Sequence, residues 1–384
     1  MAKVNPGRLI IAAILAIFVY GIVAAMLGTI MPSWKLTPEQ NGNIALAQAI
    51  GLVIASLSAG PIIDNKGKKV ALVTGLGLIA IALFSLAVVT GYDMYMAFML
   101  LLGLGGGIIV TAANALVADI NVEKRSSTLN LLNLFFGLGG LATPFIAGNL
   151  LDNDAQRLCY AGGALAAVTF LVHIATTMPP PSGERGFKMS EAGGLISSPS
   201  LWLLSAFLFL YVACEVGVWN WFVSYLIATG ISETDAKNIL SFGFALGLLV
   251  GRVVVSKILA TVTPITVTLV SSILMAITTY AMLQSGNATI AWVSVFCGGL
   301  AMAPVFPTTL GMTGDAFPKA TATAMGIVIT FGWLGLVVSS RIIGAIGGTD
   351  PKQLGTALLV IPAASVLMVF VNLALRPTLA RARA

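Results

Sequence analysis

Apolar residues gather in twelve long runs, at about 8–32, 41–63, 70–91, 94–119, 127–150, 157–178, 200–228, 235–257, 264–284, 289–312, 322–346 and 354–375. Each exceeds the roughly 20 residues that a helix needs to cross a bilayer core of about 30 Å. The pattern predicts an all-α membrane protein of twelve transmembrane helices. Gly and Pro interrupt many runs, which neighbouring helices tolerate within a membrane. The longest polar stretch, Pro179 to Pro199, falls between the sixth and seventh runs. It divides the chain into an N-terminal six-helix bundle (1–178), a cytoplasmic linker (179–199) and a C-terminal six-helix bundle (200–384). Met1 to Gly7 form a short polar tail, and the apolar run behind them is too long for a signal peptide, so no cleaved leader is expected.

Composition narrows the class. The chain is 58% hydrophobic and 9% charged, where a soluble domain carries about 25% charge. That excludes an ordinary soluble enzyme and a disordered protein. The 20 basic residues form no single stripe, which excludes a nucleic-acid binder. Their placement is informative in another way. With the N-terminus inside and twelve alternating crossings, fifteen of them fall on the inner side and five on the outer. Both termini are therefore expected in the cytoplasm, in the cell (inner) membrane of a bacterium. Cys159, Cys214 and Cys297 are scattered and read as packing residues, with no disulfide and no metal site. His173, the one histidine, lies in an apolar run and reads the same way. Gly103-Leu104-Gly105-Gly106-Gly107 has no preceding strand and no Lys-Ser/Thr, so it is not a phosphate loop. No cofactor and no enzymatic activity are expected, and nothing suggests more than a monomer in a lipid bilayer.

Helix starts and an internal repeat support the count. Thr37-Pro38-Glu39-Gln40 opens the second run with a capping residue and Pro at N1, and Ser232-Glu233-Thr234-Asp235 opens the eighth similarly. A shift of 196 residues lays Gly103 on Gly299, Asp119 on Asp315, Phe135 on Phe331, Gly139 on Gly335 and Gly148 on Gly344. Parallel repeats of this kind place a solute site between the halves, near mid-membrane, and suggest rocking of one half against the other.

Polar residues deep in apolar runs are costly and normally face a cavity or a partner. Glu215 is the one acid well inside a run. A carboxyl that gains and loses a proton as a cavity changes side would serve proton coupling; a structural acid paired with an arginine is the alternative. Tyr211, Glu215, Trp219 and Phe222 share one face of the seventh helix. Aromatic faces beside an acid suit a sugar, but an aromatic helix interface looks the same, and Trp221 and Tyr225 read as an interfacial belt. Arg341, near the outer end of helix 11, either snorkels to the interface or clamps an anionic solute; its depth argues against reaching Glu215. Asn114, Asn130 and Asn133 suit hydroxyls or interhelical contacts equally. Asn130, Asn133, Gly137 and Gly140 form a stripe that another helix or a ligand can approach closely. Gln48 is a further wall candidate. Phe306-Pro307 predicts a kink in helix 10, with Thr308 or freed carbonyls facing the cavity.

Between helices 2 and 3 stands Gly60-Pro61-Ile62-Ile63-Asp64-Asn65-Lys66-Gly67-Lys68-Lys69. A tight turn needs glycine, and the lysines can face anionic headgroups. The segment resembles the cytoplasmic signature of the major facilitator superfamily, matching at Gly60, Asp64, Gly67, Lys68 and Lys69. The resemblance implies that Asp64 joins a charge network latching the halves as a cytoplasmic gate, with Asp119 and Arg125 as its candidate partners. The equivalent turn of the C-terminal half, Ser256 to Pro264, lacks the Asp and both Gly. A narrower set is similar to the fucose–galactose–glucose–proton symporter subgroup: Tyr211 to Glu215 with Trp219 and Tyr225, Asn130 to Gly139, Ala113 to Leu116, Gly251-Arg252, and Ala303 to Thr309. Helix 5 departs from it with Asn133 where many relatives have histidine, and helices 1 and 4 lack buried acids. The resemblance implies a secondary transporter moving a small polar solute, a sugar first, with a proton or sodium in its place, by alternating access. The expected wall is Gln48, Asn114, Asn133, Tyr211, Trp219, Phe306 and Thr308, with Glu215 coupling. An organic-anion or amino-acid exchanger using Arg341, and an exporter of amphipathic drugs or lipids, stay open at this point.

Overall fold

A computed structural model describes residues 6–34, 36, 38–121, 123–179, 194–284, 288–318, 320–347 and 353–383. Most of the 179–199 linker and the Thr37 cap lie outside them. Among the described residues, twelve helices are long and apolar enough to span a membrane: α1 (Gly7–Ile30), α2 (Asn43–Lys66), α3 (Lys68–Leu86), α4 (Tyr92–Ile120), α5 (Arg125–Asn149), α6 (Ala155–Ala175), α7 (Pro199–Ala228), α8 (Asp235–Ile258), α9 (Pro264–Leu283), α10 (Thr289–Ala316), α11 (Thr321–Gly347) and α12 (Leu354–Leu379). An even number of crossings puts both termini, with the α2–α3 and α4–α5 turns, at one end of the bundle. That end is called here the termini end, and the opposite one the far end.

Local chemistry sets several boundaries. Gly67 takes φ 90°, a left-handed conformation that glycine adopts without cost, and so allows α3 to begin one residue after α2 ends. Ser232 caps the eighth span, accepting from Asp235 N–H at 3.1 Å and donating to its carboxylate at 2.7 Å. The kink in α10 falls at Ala303-Pro304, three residues before the expected Phe306-Pro307. Pro304 leads the second segment, and Pro307 sits in its first turn, where a missing N–H costs no helical bond. The eighth span holds a feature with no sequence signal, a π-helical stretch over Ile239–Ala245.

The repeat read from the sequence reappears in the packing. An added Cβ at Gly103 would meet the Gln48 carbonyl and the Leu52 amide, and at Gly299 those of Phe244 and Leu248, each pair 196 residues apart. Gly51 against Leu100 and Leu104 likewise matches Gly247 against Phe296 and Leu300. Glycine at these points lets α2 lie directly on α4, and α8 on α10, with no side chain between. The seam between the first and last six spans is formed mainly by α2 against α11 and α5 against α8 and α10.

Candidate functional site

The seam is shut tightly at the termini end. Gly60 of α2 lies so close to α11 that a Cβ there would sit 2.7 Å from Thr323 Cα, and Gly326 approaches the Ser56 carbonyl equally closely. Thr323 donates both its amide (3.2 Å) and its hydroxyl (2.6 Å) to the Asp64 carboxylate. Arg125, 4% exposed, pairs with Asp315 at 2.8 Å across the seam and also donates to the Ala118 carbonyl. Ser127 donates to the Ser256 carbonyl, and Asn130 to the Thr308 hydroxyl at 3.0 Å. Trp333 Nε1 donates to Ser56 Oγ at 3.0 Å.

This arrangement removes Arg125 as a partner of Asp64 but keeps Asp119 in its charge network, since the charges of Lys68 and Asp119 both act on Asp64. Asp119 pairs with Lys68 at 2.8 Å inside the first half, and Arg125 with Asp315. Asp64 instead binds the first turn of α11, where amides not yet committed to the helix attract a carboxylate. Lys68 is buried in its ion pair and so does not face headgroups as expected, while Lys69, half-buried, donates to the Ile174 carbonyl. Asp315 was visible in the sequence only as the repeat mate of Asp119.

Beyond this seal lies a cavity that, counted together with the open solvent at its mouth, holds about 520 Å³ of atom-free space. Tyr20 and Ala24 of α1, Asn133 and Phe136 of α5, Glu215 and Trp219 of α7, Arg252 of α8, Phe306 of α10 and Trp333 of α11 supply its wall, with Val212 and Val216. At 1.5 Å per residue, Glu215 is about 24 Å from the termini end of α7 and about 20 Å from its far end. The site is therefore near mid-bundle. Exposure rises toward the far end: Asn133, Arg252, Phe306 and Trp333 are buried, Trp219 and Val216 half-buried, and Ala24 exposed. The cavity thus opens away from the termini. Three thin contacts narrow that side. The Trp219 ring packs on Gly140 of α5, Phe145 meets Phe242 edge-on at 5.7 Å, and Lys237 donates to Asn153 at 3.2 Å.

Four of the expected wall and coupling residues reach the cavity: Asn133, Glu215, Trp219 and Phe306. The others do not. Gln48 is buried where α2 crosses α4. Asn114 stands behind Asn133, accepting from its amide at 2.8 Å. Thr308 is consumed by Asn130. Tyr211 is fully buried one turn below Glu215. Arg341 is exposed on α11 and outside the cavity. Tyr225 is a buried interhelical contact, donating to the Leu283 carbonyl, and not part of a belt. The stripe of Asn130, Asn133, Gly137 and Gly140 faces the seam along its length.

The residue that sequence reasoning misplaced is Arg252. It counts among inner basic residues by its position about 9 Å from the termini end of α8, at 1.5 Å per residue. The structure turns it inward: it is 1% exposed, its charge acts on Glu215, its guanidinium lies 5.2 Å from the Phe136 ring centroid, and it donates to the Asn133 backbone carbonyl. Its place inside an apolar run, before the polar turn that follows, was the available signal. The two charges close no direct ion pair. Glu215 Oε1, Arg252 Nε, Trp219 Nε1 and Tyr211 OH are all buried without a hydrogen-bond partner. The tyrosine and indole flank the carboxyl closely enough to act on it.

Comparison with known proteins agrees with the geometry. A Saccharomyces cerevisiae protein, Bypass of stop codon protein 6, is 23% identical over 385 residues, covering 88% of this chain and 77% of that one. A Brucella abortus glucose/galactose transporter is 25% identical over 378 residues, covering 92% and 90%. The crystal structure of the transporter FucP in the outward conformation superposes with TM-score 0.78 at 17% identity, covering 95% of this chain and 98% of that one; a further FucP structure describes it as the E. coli fucose:proton symporter. The sequence pattern of the Major Facilitator Superfamily matches residues 9–379. This chain is a multi-pass membrane transporter, not an enzyme, and belongs to the Major Facilitator Superfamily.

Proposed function

We propose that the protein takes up a neutral sugar or similar polyhydroxy solute by alternating access, coupled to protons through Glu215. The carrying observation is the cavity itself: one buried acid and one buried base, uncombined, among five aromatic side chains. Aromatic faces suit the C–H face of a sugar ring, and the free polar atoms suit its hydroxyls. Arg341, the clamp on which the exchanger reading depended, stands outside the cavity. The names of the Brucella abortus transporter and of FucP point the same way.

In this reading the termini are cytoplasmic, as the basic residues suggest, and the membrane is the cell (inner) membrane. The contacts described above then belong to an outward-facing form. Residues 1–178 and 200–384 rock as two bodies about the seam. Gly60, Asp64 and Gly67 with Lys68, Lys69, Asp119, Arg125, Asp315 and Thr323 form the cytoplasmic gate. Asn133, Trp219 and Phe306 hold the solute beside Glu215. Reconstituted protein given an inward proton gradient should accumulate a labelled hexose, and collapse of the gradient should release it. Equilibration without accumulation across a panel of sugars would reject the coupled reading.

A further inference from the structure

We infer that Arg252 is a positioning residue with two alternative partners, the Asn133 carbonyl across the seam and the Glu215 carboxylate on its own side, and that it thereby turns the charge on Glu215 into a bond between the two halves. The inference rests on the transport reading but concerns a step which that reading leaves open: how the form carrying a proton and no solute is kept from crossing.

The geometry is specific. Arg252 stands on α8 and Glu215 on α7, both in the second half. Its guanidinium reaches into the first half, to the Asn133 carbonyl and the Phe136 ring on α5. Glycine at position 137 leaves room for it. A Cβ there would meet Arg252 Nη1 at 3.2 Å and Leu249 Cδ2 at 3.0 Å. One edge of the guanidinium is thus engaged across the seam, while Nε is buried and unmet. Glu215 Oε1, facing the same cavity, is unmet as well. The other titratable groups facing this carboxyl are the phenols of Tyr20 on α1 and Tyr211 on α7. Asn133, Phe136, Phe306 and Trp333 supply none from α5, α10 and α11. Arg252 is therefore the cation whose position depends on the charge of Glu215.

The sign follows. A neutral Glu215 leaves Arg252 with the Asn133 carbonyl and the Phe136 face, so the bond across the seam holds and the termini end stays shut. An ionised Glu215 competes for the guanidinium within the second half, and the bond across the seam weakens. Solute hydroxyls seated between the two charges would also take up the guanidinium and release it. The protonated, empty form is the one held, and a symporter leaks protons if that form crosses. The emptied, deprotonated form is free to return.

The test reads the seam directly. Spin labels at Lys124→Cys and Lys257→Cys, exposed residues on opposite sides of the seam, are attached in a Cys297→Ala background; Cys159 and Cys214 are buried. Distance distributions are recorded without solute from acidic to alkaline pH. The separated population in otherwise wild-type protein should rise with pH by about fivefold or more, a typical coupling between two sites. Glu215→Gln should hold the short distance throughout. Arg252→Ala should abolish the pH response with Glu215 intact, Arg252→Lys should restore part of it, and Gly137→Ala should reduce it with every charge still present. A pH response unchanged in both Arg252→Ala and Gly137→Ala overturns the inference, whatever transport shows. Proton-driven uptake in wild type with that result would leave the transport reading standing. A charge-dependent seam without solute accumulation would do the reverse.

Discussion

Replacing Gly60 by alanine should change the conformational preference of the carrier while leaving its fold intact. The added methyl would stand 2.7 Å from Thr323 Cα and 2.9 Å from the Ala322 carbonyl oxygen, well inside the roughly 3.5–4.0 Å of a comfortable contact. The obstacles are backbone atoms of the other half, so no rotamer change relieves them. Overpacking of this kind costs about 1–3 kcal/mol. The cost applies only while the termini end is closed, because in the opposite state α2 and α11 part there. The equilibrium should therefore move toward that state by about 5- to 150-fold. Gly107→Ala is the control. Its methyl would meet the Leu52 carbonyl at 2.7 Å and Ala55 Cβ at 2.9 Å, both on α2 of the same half, so both states bear the cost equally. The assay places a cysteine at Ala24, exposed on the cavity wall, in the Cys297→Ala background, and measures its labelling by a membrane-impermeant thiol reagent from each side. Gly60→Ala should lower labelling from the far side and raise it from the termini side; Gly107→Ala should lower Tm and leave the ratio alone. Equal effects of the two substitutions on the ratio would refute the assignment of Gly60 to a seam that opens.

Other outcomes follow from the same contacts. Arg125→Ala should favour opening of the termini end more than Asp315→Asn, because the arginine stem also packs against Gly314 of the second half; the same labelling ratio reads it. Trp219→Ala should abolish the rise in Tm caused by a bound solute, whereas Trp219→Phe keeps a ring over Gly140 and should retain part of it. Arg341→Ala should change uptake by less than about twofold, as for an ordinary exposed site; a large loss would revive an anion clamp. Asn114→Ala removes one of the two acceptors of the Asn133 amide, the Leu129 carbonyl remaining, and should lower stability by about 0.5–1.5 kcal/mol, the net worth of one hydrogen bond, measured in detergent unfolding.

How much of this was legible in the residues depends on the range of the signal. Span number and repeat follow from local composition and a fixed offset, and the packing of Gly51 and Gly103 against their mates Gly247 and Gly299 reproduces that offset. The α2–α3 turn was readable because a left-handed residue demands glycine at Gly67. Gly60, by contrast, resembles a turn glycine in sequence and serves as a contact with Thr323 on the opposite half. The partners of Asp64 and Arg125 lie 259 and 190 residues away, and nothing local distinguishes a carboxylate that pairs across a seam from one that pairs beside it. Helix periodicity put Glu215 and Trp219 on one face, and both line the cavity. It could not show that Tyr211 on that face packs inside, nor that Arg252, near a helix end, turns inward. Asn114 and Thr308 are polar residues spent on other polar residues, which a single sequence does not separate from ligand-binding ones.

The central claim, that Glu215 joins proton movement to solute movement, is tested most directly by comparing net accumulation with exchange in Glu215→Gln. Proteoliposomes preloaded with unlabelled solute report exchange; empty ones with an imposed pH gradient report accumulation. The variant should exchange at a rate near wild type and accumulate nothing. Accumulation equal to wild type would contradict the account.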